Sequence, residues 1–127
     1  MLDCTWDASV GRRDSREMEL RGEIALRFRT SHIPRWKLGR AQLLLRHRGH
    51  AVESLPVRVV GRKWIAARVE PQPEGWVLVN IPADMAQPLV EDERREIRIR
   101  LPKDWRVDSL ESLRYRPYMF VEGERAT

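Results

Sequence analysis

Glu23 to Arg48, E-I-A-L-R-F-R-T-S-H-I-P-R-W-K-L-G-R-A-Q-L-L-L-R-H-R, decides the fold. Ile24, Leu26 and Phe28 alternate with Ala25, Arg27 and Arg29, a period of two that puts apolar side chains on one face of a strand and arginines on the other. Ser31-His32-Ile33-Pro34 ends that strand, because proline cannot donate to a ladder and restricts the residue before it. A second alternation follows, with Ala41, Leu43 and Leu45 on one face and Gln42, Leu44 and Arg46 on the other. Two strands joined by an Ile-Pro connection therefore form the hub of the chain.

Working outward, Trp6 and Val10 take the inward phase of a first strand, and Met18 and Leu20 make a short second one. Between them, Gly11 to Ser15 is rich in turn formers. Downstream, His47-Arg48-Gly49-His50 reads as a turn, and Leu55, Val57 and Val59 point one way along a strand that Pro56 assigns to a sheet edge. Trp64 to Val69 is a further strand. Gly75 to Ile81 is nearly continuous in apolar residues, as a strand covered on both faces would be, so Trp76 is expected in the core. Ala83 to Val90 supplies one or two helical turns after Pro82, shortened by Pro88. Ile97, Ile99 and Leu101 alternate with Glu96, Arg98 and Arg100; a loop pinned by Trp105, Val107 and Leu110 leads to a last strand over Tyr115 to Val121. Short strands at turn spacings of roughly eight to twelve residues, with one short helix, predict an all-β fold, an antiparallel β-sandwich of jelly-roll type rather than a closed barrel.

The 127 residues suit a single sandwich domain spanning 1–127. No run approaches the roughly 20 apolar residues of a spanning helix, so no membrane insertion is expected. Cys4 is the sole cysteine, which excludes an internal disulfide, and the opening Met-Leu-Asp-Cys-Thr-Trp shows no secretion signal. The net charge is +5, and arginine dominates the basic residues while Asn80 is the one asparagine, a composition that suits a thermostable protein. Opposite charges are interleaved, as in Glu91 to Glu96, the pattern of a solvated and paired surface.

Ala25-Leu26-Arg27-Phe28, then Ile33-Pro34, then Ala41-Gln42-Leu43-Leu44-Leu45 resembles the opening pattern of the disaggregatase-repeat (DNRLRE) jelly-roll domains, relatives of bacterial carbohydrate-binding modules. Gly75 to Ile81 with the Pro82 to Leu89 turn, and the closing Arg116-Pro117-Tyr118-Met119-Phe120-Val121, are similar to that family's later segments, and more distantly to the propeptide jelly roll of the TGF-beta family. The resemblance implies a jelly roll and raises carbohydrate binding as a function. Arg29, Asn80 and Pro82 stand where the family often carries aspartate or threonine, so its sugar and calcium ligands are not carried over.

Catalytic signals are weak. His47 and His50 stand three apart, a spacing able to clasp a metal, but no cysteine or acidic cluster adjoins them in sequence; no metal site, no cofactor and no enzymatic activity are expected. Phosphate loops, nucleophile elbows and zinc motifs are missing from the sequence. Binding is a better prospect. Trp36 and Trp105 fall in loops beside charged residues, and Trp64 begins a strand after Arg62-Lys63, so each indole is a candidate contact. Arg27 and Arg29 on one strand and Arg98 and Arg100 on another would make a basic patch if those strands were neighbours, with cross-strand pairing to Glu96 as the competing arrangement. Nucleic acid is disfavoured, since no recognition helix or sheet-face aromatic pattern is present.

Two functions fit. One is a structural module that docks onto protein subunits of a larger assembly, such as a virion or an extracellular filament, as a homo-oligomer or singly. The other is a carbohydrate-binding module for acidic or neutral polysaccharide. Together they favour a virion or extracellular surface, although the sequence itself assigns no location.

Overall fold

A computed structural model describes residues 2–9, 17–19, 23–30, 33, 36–92, 94–108 and 117–125, with the backbone alone for 3–9, 17–19 and 108. The fold is an antiparallel sandwich with one short helix. One sheet contains β10 (Tyr118–Arg125), β4 (Trp36–Arg48) and β7 (Trp76–Ile81); the other contains β3 (Glu23–Phe28), β8 (Ile97–Arg100) and β5 (Ser54–Val59). The two hub strands are thus in opposite sheets, and the connection through Ile33 crosses the sandwich. Ile33 is buried there, its N–H donating to the Thr30 carbonyl at 3.0 Å.

Two further strands turn the corners. In β1 (Leu2–Ser9), Leu2 and Asp3 pair with β10, then a bulge after Cys4 lets the rest pair with β3. In β6 (Ile65–Pro71), Ile65 to Arg68 pair with β5, and Val69 to Pro71 pair with β7. With β10 also laddered against β4 from Tyr118↔Leu44 to Arg125↔Trp36, the circuit of eight strands closes. The sandwich is a flattened barrel, and alternation alone could not show this because closure depends on which strands meet. β2 (Glu17–Glu19) and β9 (Arg106–Asp108) extend the ladder from the far end of β4.

Core and surface follow the alternations. Leu43 and Leu45, Leu55, Val57 and Val59, Val77 and Val79, and Ile97 and Ile99 all face inward and are buried. Each such side chain contributes about 1.5–3 kcal/mol by leaving water. Helix α1 (Ala83–Glu91) adds Met85, Ala86, Leu89 and Val90 to the same core and packs on β4 and β5.

Several local expectations change. β5 lies between β6 and β8, so Pro56 does not mark a sheet edge; its Cα pairs with Ala66 of β6, and the ladder to β8 starts one residue later at Val57↔Ile99. Pro88 does not shorten α1, which continues to Glu91: the proline lies inside the helix, past its first turn, and its missing N–H costs one carbonyl its helical partner, that of solvent-exposed Asp84, which water can satisfy. Trp76 is not in the core, since β7 alternates and only Val77, Val79 and Ile81 point in; Trp76 meets Tyr118 edge-on at 5.5 Å on the outside. The strand through the second hub alternation is longer than expected and begins at Trp36. The turn expected over Gly11 to Ser15, Leu20 and Leu110 lie outside the described residues, as do the side chains of Cys4 and Trp6.

Candidate functional site

The outer face of the β3–β8–β5 sheet collects most of the candidate binding residues. Because β3 pairs with β8 in the register Ala25↔Arg98, Arg27 and Arg98 do lie on neighbouring strands. Both competing arrangements are realised. Glu96 accepts from Arg27 Nη2 at 2.9 Å and from Arg98 Nε at 3.4 Å, and Glu23 lies 3.7 Å from Arg98 Nη1. The Glu96 side chain is only 18% exposed, so its pairing with Arg27 is partly shielded from solvent.

On the other side of β8 the balance is different. Arg58 of β5 stands directly opposite Arg98, a like-charge cross-strand pair that by itself destabilises a sheet. Arg58 and Arg100 both rest on the indole of Trp64, their guanidinium carbons 5.2 Å and 4.2 Å from the ring centroid. Cation–π attraction of this kind contributes about 0.5–1 kcal/mol at exposed sites. Among the described residues no carboxylate reaches Arg58 or Arg100, and Arg58 Nε is buried with no hydrogen-bond partner. Trp64 therefore holds two cations whose charge is left for something else to balance. The turn beside it adds exposed Arg62 and Lys63.

The remaining candidates do not join this face. Arg29 is exposed past the end of β3. Trp36 packs half-buried against the core. Trp105 is 1% exposed, so the expectation that its indole meets a partner fails: it stacks on His47 at 3.7 Å and donates Nε1–H to the His50 carbonyl at 2.7 Å. The turn expected over His47 to His50 is correspondingly shorter, since His47 and Arg48 are still in β4, paired with β9. Asp104 accepts from the His50 backbone N–H at 2.9 Å and contacts its ring Nδ1 at 2.6 Å, and these bonds hold the carboxyl below the usual range. Burial pushes the His47 imidazole below its ordinary 6.5, against smaller opposing effects of Arg48 and Asp104. Among the described residues no group of three or more His, Cys, Asp or Glu side chains is arranged to hold a metal ion.

The opposite sheet has an outer face of another kind. Phe120 is 45% exposed beside Gln42, whose amide donates to Asn80 Oδ1 at 3.2 Å; half-buried Leu44, Leu78 and Tyr118 make the next row on one side of that pair, with Trp76 a row further on. Sequence reasoning missed both this face and Arg58. Arg58 was legible as outward, from its alternation with Val57 and Val59, but its position opposite Arg98 depends on strand register.

No family model, curated protein or solved structure matches the chain. Its class is that of its fold, an all-β antiparallel sandwich with one short helix. Among the described residues no helix is long and apolar enough to cross a membrane.

Proposed function

We propose that this protein is a non-catalytic interaction module that docks onto an acidic surface of a larger assembly through the outer face of the β3–β8–β5 sheet. The observation that carries the reading is the opposition of Arg58 to Arg98, with Arg100 alongside and only Arg98 matched by carboxylates. A like-charge pair compensated on the Arg98 side alone is a cost to the free fold that an acidic partner would offset. Acidic polysaccharide is the second reading, favoured by the resemblance to carbohydrate-binding jelly rolls. Neutral sugar fits less well, because two guanidinium groups already occupy the Trp64 ring.

Binding to immobilised poly-glutamate and to heparin, each followed as salt is raised, tests the reading. Binding should weaken steeply with salt and be lost in an Arg58→Ser/Arg100→Ser variant that melts like the parent. Failure to bind either polyanion, or equal binding by the variant, would overturn it. A preference for heparin would move the assignment to the polysaccharide.

A further inference from the structure

We infer that the acidic partner presents an extended peptide segment, laid along β5 and β6, in which two acidic side chains flank an apolar one at alternate positions. The inference rests on the docking reading above and adds the chemical class of the ligand and its direction on the sheet. Three rows of outward residues cross this face. Arg98, Arg58 and Trp64 make the first. Pro56 and Ala66 make the second, beside Arg100, since Val57 faces Ile99. Ser54 and Arg68 make the third.

Successive rows are two residues apart along a strand, roughly 6.5–7 Å. The first row is cationic through Arg58 and through the Arg100 guanidinium, which leans from the second row onto Trp64; the rest of the second row is a low floor of proline and alanine, and the third is cationic again through Arg68. Arg68 is 79% exposed, and its nearest carboxylate, Glu70, is 3.9 Å away. Beside the floor, at its Arg68 end, opens a groove of about 720 Å³ whose lining is mixed: apolar Ala51, Val52 and Pro71 face polar Glu53, Ser54 and Arg68. Side chains of an extended peptide repeat on one face at the same two-residue spacing, so acid, apolar and acid fall on arginine, floor and arginine in turn. A polyanionic sugar has charge for both ends but no apolar side chain to lay on the proline and alanine floor between them, which is why peptide is favoured.

Fluorescence anisotropy with labelled Ser-Glu-Ser-Leu-Ser-Glu-Ser provides the test, with poly-glutamate as the control. Replacing the peptide's leucine by serine should weaken binding about tenfold, the equivalent of one partly buried aliphatic side chain. Ala66→Phe, at an exposed position where folding is undisturbed, should raise the floor and weaken the leucine peptide to the same degree while poly-glutamate binding holds. Equal affinities for the two peptides, no effect of Ala66→Phe, or heparin bound while both peptides are not, would each overturn the inference and leave docking by charge standing. Loss of every polyanion would remove the docking reading itself.

Discussion

Gln87 of α1 completes the β-sheet where a strand is missing. Along β4, pairing with β7 begins at Ala41, so among the described residues the segment from Trp36 to Arg40 has no strand on that side. The Gln87 side chain fills the gap: its Oε1 accepts from the Leu38 N–H and its Nε2 donates to the Trp36 carbonyl, both at 2.8 Å. The amide thus offers the donor and acceptor that a neighbouring backbone would. Gln87→Met keeps length and apolar packing but removes both bonds. Each is worth about 0.5–1.5 kcal/mol, and Leu38 is buried, so leaving its N–H unpaired adds desolvation; the sum is about 2–3 kcal/mol, a sizeable share of a typical domain's stability. Urea unfolding should show a lower midpoint at unchanged slope, and hydrogen exchange at the Leu38 amide should accelerate. Gln87→Glu separates hydrogen bonding from shape. At neutral pH it points a carboxylate oxygen at the Trp36 carbonyl, and below about pH 4 protonation returns a donor, so part of its lost stability should come back on acidification. A Gln87→Met variant within about 0.5 kcal/mol of the parent, or with Leu38 exchange unchanged, would refute the role.

Other changes have equally definite expectations. Gly49 has φ +135°, and a Cβ there would sit 2.7 Å from Trp105 Cδ1, so Gly49→Ala should destabilise by about 1–3 kcal/mol in thermal unfolding and perturb the tryptophan fluorescence. At Gly123, in the bulge of β10, a Cβ would run into the Lys37 carbonyl, and Gly123→Ala should lower the melting temperature as well. His47 resists protonation in the folded state, so the unfolded chain takes up that proton first. Stability should therefore fall as pH drops through 6.5 towards the lower folded value and then level off for this group; His47→Phe should flatten that part of a stability-versus-pH curve. Asp104 has the opposite sense, its contribution complete above its ordinary 3.8 and lost as pH falls through the depressed folded value, and Asp104→Asn should abolish that loss in the same experiment. Arg58→Thr should leave the melting temperature nearly unchanged, because the cation–π contact it removes is offset by relief of the repulsion with Arg98.

Faces were easier to read than neighbours. Ile97 and Ile99 against Arg98 and Arg100, or Leu43 and Leu45 against Gln42 and Leu44, settle inside and outside with a period that needs no knowledge of the partner strand. Pairing is not local. That Arg98 meets Glu96, Glu23 and Arg58 together depends on β8 lying between β3 and β5, which nothing within Ile97 to Arg100 encodes. Trp105 illustrates the same limit in a loop: charged neighbours at Asp104 and Arg106 suggest an exposed indole, yet Asp104 is turned to His50 and the ring goes under it to His47. The arginine face was half legible, through Arg27, Arg98, Arg100 and Trp64, and the rest came from Arg58 and a register.

Closure through β10 also sets an order of events in time. β10 comes later in the chain than every other strand described, and it must insert between β1 and β4 before either has a complete set of partners. On a ribosome, all other described strands emerge while those two still expose backbone groups able to pair with another chain. Tyr118 meets Leu44 and Met119 meets Leu43 across a long stretch of sequence, so the loop-closure entropy is spent late and folding is expected to be slow for the domain's size. A growing chain is thus at its most adhesive just before β10 emerges, and substitutions in β10 should appear as aggregation during synthesis before they appear as lost stability.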